Sequence, residues 1–292
     1  MSKISTRFFN DREVRAVWDE ENSKWWFSAI DIIRAINNGE DYVKAGNYWR
    51  WLKKKFSSEG VQLVSITHEF KFTAPDGKKR AADALDYDCV QILAKHFPNN
   101  NAVKFLDWFN YSDNTIDGQS KKKAYTFLNS DFIADEDVGT TKALQQIHAY
   151  IFGGLYDFAG KIRTKTISKG DFTFCVAQYL NEALANIDKM SENSFDEIVD
   201  KYVEMNVAHP FMEGNGRSTR IWLDLILKKR LKKCVDWSKI GKNEYLQAMM
   251  ESHSDSTKIR DLLKNALTDK IYDREMFMKG IDYSYYYEEV EE

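Results

Sequence analysis

The stretch HPFMEGNGRSTR, which spans His209–Arg220, decides most about the fold and chemistry of this sequence of 292 residues. Proline disfavours helix at the residue before it, so a helix over Ser194–Ala208 is expected to end where the stretch begins. A second helix is expected to begin near Asn215. Gly214 and Gly216 let the backbone approach a ligand closely, because no Cβ stands in the way. The loop therefore leads into a helix N-terminus, where free amides and the helix dipole favour anions.

The other side chains of this stretch place a base, a carboxylate and two cations beside that anion site. His209 is the only residue there with an unperturbed pKa near neutrality, so it is the candidate general base. Glu213 offers the kind of oxygen ligand that Mg²⁺ prefers next to substrate phosphates. Arg217 and Arg220 lie three residues apart on one helix face and can bind phosphate oxygens. The combination predicts a site for phosphoryl or nucleotidyl transfer.

Length and composition limit the class of protein. The chain is long enough for two domains, and a hydrophobic content of 43% can fill their cores. An odd number of widely spaced cysteines, Cys89, Cys175 and Cys234, favours reduced thiols in the cytoplasm over a disulfide framework. The formal net charge of -3 is that of an ordinary soluble surface. No apolar run approaches the roughly 20 residues of a membrane span, and no signal peptide is indicated, so no membrane contact is expected.

The chain is predicted to divide at a linker over residues 111–123, where turn formers and charges replace apolar periodicity. Residues 1–110 predict a small α+β domain with a helix over Ala29–Ile36 and a turn at TAPDGKKR. Its strands are expected at Arg15–Trp18, Trp25–Ser28 and Val61–Phe72, and its later helices at Tyr87–Phe97 and Ala102–Phe109.

Residues 124–292 predict a mainly helical domain with one short hairpin at Lys165–Phe174, where Gly170 interrupts β-branched and aromatic residues. The fold class is therefore mainly α, preceded by a small α+β domain. Besides the two helices around the glycine-rich loop, helices are expected over Thr140–Tyr156, Ala177–Met190, Lys242–Ser252 and Thr257–Asp269.

The string from His209 to Arg220 matches HPFx[D/E]GNGRxxR at every defined position, and the sequence resembles the Fic family over roughly residues 121–292. The resemblance implies a helical domain that transfers AMP from ATP, with Mg²⁺, to a Tyr, Ser or Thr hydroxyl of a target protein. It implies that His209 deprotonates the hydroxyl and Glu213 holds the metal. The implied nucleotide-binding residues are Phe211, Gly214, Asn215, Gly216, Arg217 and Arg220.

The predicted hairpin resembles the flap of this family, which pairs with an extended segment of the target. The implied docking residues are Ile167, Ser168, Lys169, Gly170, Phe172 and Phe174. The alternative is a hairpin that only connects two helices.

A second similarity lies at the C-terminus, where Ser284 and Glu288 have the spacing of the family's inhibitory motif, [S/T]xxxE[G/N]. The resemblance implies a C-terminal inhibitory helix whose Glu288 pairs with Arg220 and displaces a phosphate contact. Glu289 stands where the motif has Gly or Asn. The alternative is an acidic, tyrosine-rich tail in solvent.

Residues 1–110 resemble the Bro-N type domains of phage antirepressors in WFSAIDIIRAI, YWRWLKKK, APDGKKRAADALD and FPNNNAVKFLDWF. The resemblance implies DNA binding, and 17 basic against 15 acidic residues make this part only faintly basic, at +2. A targeting or dimerisation module, and hence a homo-oligomer, fits as well. The candidate phosphate-contacting residues are Arg50, Lys53, Lys54 and Lys55, which are interleaved with Trp49 and Trp51.

Three functions stay open at this point. The first is an autoinhibited protein adenylyltransferase. The second is the same site with another nucleotide, or run in reverse to remove AMP. The third is a DNA-binding regulator whose C-terminal part senses a nucleotide.

Overall fold

The computed structural model describes residues 3–39, 41–60, 67–74, 78–127, 138–170 and 172–288. The chain forms two compact units, and the boundary between them along the sequence falls between Thr115 and Ile116. This division falls inside the stretch that the sequence predicts as a linker. Helices dominate the described residues and a small sheet lies in the N-terminal unit, so the predicted fold class is confirmed.

The N-terminal unit is built on an antiparallel sheet with strand order β1-β2-β3-β5-β4. The sequence did not predict β1, and β5 begins within the stretch predicted as a turn; residues 75–77 of that turn lie outside the described residues. Of the strand predicted over Val61–Phe72, residues 61–66 also lie outside them. The strands are β1 (Lys3–Phe9), β2 (Arg12–Asp19), β3 (Lys24–Ser28), β4 (His68–Thr73) and β5 (Lys79–Leu85).

Four helices cover this sheet, and each begins at a polar side chain that accepts an amide of the first turn. Beneath them Arg15 binds the fully buried Asp31 with two parallel bonds, Nε to Oδ2 at 2.6 Å and Nη2 to Oδ1 at 2.8 Å. This bidentate geometry compensates for burying the charges. The helices are α1 (Ala29–Ile36), α2 (Tyr42–Ser58), α3 (Tyr87–Lys95) and α4 (Asn100–Tyr111).

The C-terminal unit is a helical bundle around one helix, α9, which packs against α6, α8 and α12. Its apolar side chains Ile221, Trp222 and Ile226 are buried in the core of this unit. The helices are α5 (Ile116–Phe127), α6 (Thr141–Phe152), α7 (Ala177–Asp188), α8 (Phe195–Ala208), α9 (Asn215–Leu231), α10 (Lys242–Glu251), α11 (Thr257–Asn265) and α12 (Arg274–Tyr286).

Two short hairpins complete this unit. Strands β6 (Ser168–Lys169) and β7 (Phe172–Thr173) form the hairpin that the sequence predicts. Strands β8 (Cys234–Val235) and β9 (Leu267–Thr268) form the second, so α11 ends four residues earlier than the predicted helix.

Helix α5 corrects the prediction of a linker over residues 111–123. Residues Ile116–Phe127 are helical, and a short 3₁₀ turn precedes them at Ser112–Asn114. Only Ser120, Ala124 and Phe127 of this helix are buried. These three residues have helical spacing, but Ser120 is polar and Ala124 is small, so the sequence shows no clear apolar stripe. The helix is stabilised by tertiary packing more than by its own helix propensity.

No helix among the described residues is both long and apolar enough to cross a bilayer.

Candidate active site

His209 lies at the C-terminal end of α8 in the left-handed conformation, with φ 50° and ψ 64°. Its Nδ1 lies 3.2 Å from the carbonyl oxygen of Asn206, so Nδ1–H donates and Nε2 is left as the basic atom. The ring stacks on Phe174 with centroids 3.7 Å apart. Burial lowers the pKa of His209 to about 4. The imidazole is therefore neutral at physiological pH, as a general base must be before it accepts a proton.

The loop after His209 is fixed by hydrogen bonds between side chain and backbone. The Asn215 side chain accepts from the Phe211 amide through Oδ1 and donates to the Phe211 carbonyl through Nδ2, both at 2.8 Å. Phe211 itself is fully buried. These bonds shape the loop and use one of the two Nδ2 hydrogens of Asn215. The nucleotide contacts that the resemblance implies for Phe211 and Asn215 stay predictions.

A second histidine, which the sequence did not single out as functional, supports the same loop from beneath. His148 of α6 is fully buried and its ring stacks on Phe211 with centroids 3.8 Å apart. The amide of Gly160 donates to Nδ1 at 2.8 Å, so the proton lies on Nε2, which donates to the Glu213 carbonyl at 2.9 Å. Burial lowers the pKa of His148 to about 4, which keeps this neutral tautomer.

Two glycines shape the entry to α9. Gly214 has φ 80°, and a Cβ there would lie 2.4 Å from the Phe152 ring, so a larger residue would collide with the core. A Cβ on Gly216 would lie 2.1 Å from a carboxylate oxygen of Glu288. The space above Gly216, at the positive end of the helix, is thus filled by an anionic side chain.

Arg217 is buried and binds two carboxylates. Its Nη2 donates to Glu213 at 2.9 Å, and its Nη1 pairs with Asp117 of α5. Among the described residues, its Nε is a buried donor without a partner. Glu213 is exposed, and a single carboxylate beside phosphates suits Mg²⁺, which takes one or two such ligands and keeps water. The described residues hold no cluster of three or more metal-binding side chains.

Arg220 is fully buried and is bound by the C-terminal helix. Its Nε donates to Ser284 Oγ at 2.8 Å, and its Nη2 donates to the Ser284 carbonyl at 2.7 Å and to Glu288 Oε1 at 2.5 Å. Burial alone would raise the pKa of Glu288, but the charge and hydrogen bond of Arg220 outweigh it, and the pKa is lowered. The structure thus places Ser284 and Glu288, the two residues of the inhibitory motif, against Arg220. Glu289 lies outside the described residues.

The predicted flap residues share one hairpin next to His209. Phe174 stacks on the His209 ring, and Phe172 contacts Phe174 and His253. Ile167 accepts the amide of Phe174 at 3.2 Å, which closes the base of the hairpin. The exposed members are Ser168, Lys169 and Gly170.

The sequence analysis did not identify two further residues that approach this site. Asp117 belongs to the stretch interpreted as a linker, and Arg163 precedes the flap in a loop without a motif. Each acts across the tertiary structure, on Arg217 and on the His209 backbone respectively. A single sequence carries no signal for such pairs.

Part of the basic cluster that the sequence suggests for DNA binding forms ion pairs within the N-terminal unit. Lys53 pairs with Asp83 at 2.7 Å, and Lys55 lies 3.9 Å from Glu59. Trp49 is buried. DNA binding through this cluster stays a prediction. The exposed members are Arg50, Trp51 and Lys54.

Residues 139–227 match the model of the Fic/DOC family, so the C-terminal unit contains a Fic domain. The matched segment includes α6, the flap, α8 and the whole loop from His209 to Arg220. The Fic resemblance stated from the sequence is confirmed for this segment. The Bro-N resemblance of the N-terminal unit stays a prediction.

Three curated relatives match part of the chain. The chain is 30% identical over 140 residues to protein adenylyltransferase VbhT of Bartonella schoenbuchensis, covering 43% of this chain and 29% of that protein. It is 29% identical over 120 residues to the probable protein adenylyltransferase y4lH of Sinorhizobium fredii, covering 37% and 62%. It is 29% identical over 92 residues to the probable protein adenylyltransferase Fic of Escherichia coli, covering 28% and 46%. The chain thus covers less than two thirds of the length of each.

Among solved structures, the chain is similar to the N-terminal Fic domain of a Bartonella effector protein, from Bartonella sp. AR 15-3. The sequence identity is 16% and the TM-score 0.48, with 56% of this chain and 84% of that chain covered.

The neutral, buried state of His148 predicts a pH dependence of stability. The folded protein keeps this ring neutral down to about pH 4, whereas the unfolded chain takes up its proton near pH 6.5. The contribution of His148 to the free energy of unfolding is fully present above about pH 6.5 and is lost as the pH falls towards about 4. Between about pH 7 and about pH 5, the wild type should lose roughly 2 kcal/mol more unfolding free energy than His148→Gln.

The measurement is hydrogen exchange of peptides from α6 and α9 at several pH values, because it separates the two units of the chain. His209→Gln serves as a second variant, since its ring has a similarly lowered pKa. Identical pH profiles of the wild type and His148→Gln would contradict the lowered pKa of the buried His148 ring.

Proposed function

We propose that the C-terminal unit is a protein adenylyltransferase that transfers AMP from ATP to a hydroxyl side chain of a target protein. The observation that carries the proposal is the neutral His209 placed at the entrance to α9, whose N-terminus bears two buried arginines. A base, an anion-binding helix end and two phosphate-binding cations are the parts that nucleotidyl transfer requires. The names of the curated relatives agree with this reaction.

The residues of this chain divide the work as follows. Nε2 of His209 accepts the proton of the target hydroxyl, because its Nδ1 is committed to Asn206. The hydroxyl oxygen then bonds to the α-phosphorus, the bond from that phosphorus to the bridging oxygen breaks, and pyrophosphate leaves. The first amides of α9, Arg217 and Arg220 stabilise the triphosphate charge.

Glu213 is the residue that would hold Mg²⁺, which neutralises phosphate charge when it is bound. The flap offers its exposed edge at Ser168–Lys169 to an extended segment of the target. Main-chain pairing of this kind fixes the position of a hydroxyl with little demand on the surrounding sequence.

The reaction predicts which phosphate of ATP becomes attached to protein. With ATP labelled on the α-phosphorus, the Glu288→Gly form should label a protein band, and ATP labelled on the γ-phosphorus should not. His209→Ala should abolish the labelling, because the base is lost, while ATP binding is retained. His68→Ala, an exposed histidine of the N-terminal unit, is the matched control and should label normally.

Labelling that survives His209→Ala would overturn the assigned base. Labelling by other α-labelled nucleoside triphosphates but not by ATP would favour a different nucleotide. Release of AMP from a labelled protein without any transfer would favour the reverse reaction.

We also propose that this site is autoinhibited by Glu288. Its carboxylate lies against Gly216 and binds Arg220, so it fills space and charge that a phosphate would need. The segment that carries Glu288, directly after α12, is held firmly: the Tyr287 hydroxyl donates to the carbonyls of Trp237 and Ile240. The lowered pKa of Glu288 keeps the carboxylate ionised across the physiological range.

Glu288→Gly should increase both ATP affinity and the rate of transfer. A charge-assisted hydrogen bond that competes with the ligand is worth about 1.5–3 kcal/mol, so the gain in affinity should be about tenfold or more. Calorimetric titration with ATP and the labelling assay measure the two effects. Glu182→Gly, at an exposed position of α7, is the control for loss of a carboxylate elsewhere in the unit. Unchanged affinity and labelling would remove Glu288 as an inhibitor.

Asp117 adds a second internal carboxylate at the same site, because it pairs with the other arginine, Arg217. Asp117→Asn should raise ATP affinity by up to about fivefold, less than Glu288→Gly, because its carboxylate is half exposed and the pair is weakened by solvent. The double variant should bind ATP more tightly than either single variant, since each substitution frees a different guanidinium. Titration of the single and double variants with ATP tests this, with Asp107→Asn as the exposed control.

Equal ATP affinity in Asp117→Asn and the wild type would show that the Asp117–Arg217 ion pair does not compete with ATP binding.

A further inference from the structure

Arg163 is a buried arginine that binds backbone carbonyls only. Its Nε donates to the His209 carbonyl at 2.7 Å, and its Nη1 donates to the Lys165 carbonyl at 2.6 Å. Its Nη2 donates to the carbonyls of Cys175 and Ala208 at 2.5 and 3.0 Å. Four of the five N–H donors of one guanidinium are thus used on the backbone. Burying a charge is costly, so this arrangement calls for an explanation.

The carbonyls belong to two elements that must be held together for transfer. Ala208 and His209 end α8, and the positive guanidinium there satisfies carbonyls that have no partner within the helix. Lys165 and Cys175 flank the flap on either side. The amide of Arg163 itself donates to the Pro210 carbonyl at 2.8 Å, which adds a fifth bond to the same junction.

The backbone of His209 depends on such support. A residue other than glycine in the left-handed region is strained and persists only when its surroundings impose that conformation. With φ 50°, His209 is in that region, and the Arg163 Nε binds its carbonyl directly. A change in this backbone would turn the imidazole away from its present position.

The same guanidinium also fixes the partner ring. Phe174 stacks on His209, and the carbonyl of the next residue, Cys175, is bound by Arg163. The amide of Cys175 donates to the Val207 carbonyl at 3.1 Å, so the flap joins the end of α8 on two sides. The relative position of the two stacked rings is therefore set through one side chain.

We propose that Arg163 is a positioning residue that holds His209 in its left-handed conformation and fixes the flap, with Phe174, against the imidazole. A lysine cannot replace it, because an ammonium is a point charge and lacks the planar fork that reaches carbonyls on both elements. This inference rests on the proposed transfer reaction for its kinetic consequence. Its structural consequence is independent of any activity.

The experiment compares Arg163→Lys with the parent in the full-length Glu288→Gly form. The first readout is the side-chain NMR signals of His209, identified among the five histidines by their loss in His209→Ala. The second is single-turnover transfer of α-labelled AMP from bound ATP, and the third is ATP affinity. Arg260→Lys is the matched control, because Arg260 binds Asp196 and Asp200 at the opposite end of α8.

We expect Arg163→Lys to shift the His209 signals and to slow transfer by about 10- to 100-fold, as misplacement of a catalytic group by about 1 Å does. ATP affinity should not change, because the phosphate-binding residues lie on α9 and Arg163 does not touch them. A merely structural role would instead lower affinity and transfer together or unfold the unit. Unshifted His209 signals, or transfer at the parent rate, would overturn the proposal. If the parent transfers no AMP, the transfer reaction fails, and the NMR signals alone still decide the role of Arg163.

Discussion

Two guanidinium groups buried on α9 impose the constraint on which the C-terminal unit depends. Arg217 and Arg220 are almost inaccessible to water, and an unpaired buried charge is far more expensive than a paired one. Each is therefore paired with at least one carboxylate. In the described structure the chain provides the anions itself: Asp117 and Glu213 at one arginine, and Glu288 at the other. In the proposed reaction a polyphosphate provides them.

This constraint explains why elements distant in sequence converge on α9. Helix α5 carries Asp117 and α12 carries Ser284, and the chain between them runs through most of the unit. The two helices also bind each other, since the Tyr285 hydroxyl donates to Ser120 Oγ at 3.0 Å and Lys121 pairs with Asp282 at 2.9 Å. The two helices thus form one support beside the arginines, with Asp117 on α5 and Glu288 two residues beyond the end of α12. The hydrogen bonds of the glycine-rich loop, by contrast, involve the loop itself, His148 of α6 and Arg163.

What the sequence predicted follows this distinction between local and distant interactions. The break between α8 and α9 was predictable, because proline and glycine act on their immediate neighbours. The hairpin at Gly170 was predictable for the same reason. Helix α5 was not, because its stability comes from the residues that it packs against rather than from its own apolar pattern. Because α5 buries so few apolar side chains, its composition is that of a linker.

The same reasoning applies within the site. The proposal of His209 as a base follows from its chemistry, but its left-handed backbone and its Arg163 contact come from the tertiary fold. The resemblance implies nucleotide contacts for Asn215, and the structure adds side-chain bonds to the backbone of Phe211 that the sequence did not indicate. An amide is equally suited to a phosphate and to a peptide group, so residue type alone does not distinguish the two.

The internal carboxylates also set the conditions under which the proposed site opens. A ligand shifts an equilibrium only by the difference between its affinities for the two states. In the proposed function, a phosphate of ATP competes with Glu288 for the Arg220 guanidinium, so the free energy gained by binding that phosphate is reduced by the free energy needed to release Glu288. Glu288 follows α12, so the hydrogen bonds that hold the end of α12 determine how strongly Glu288 opposes this phosphate.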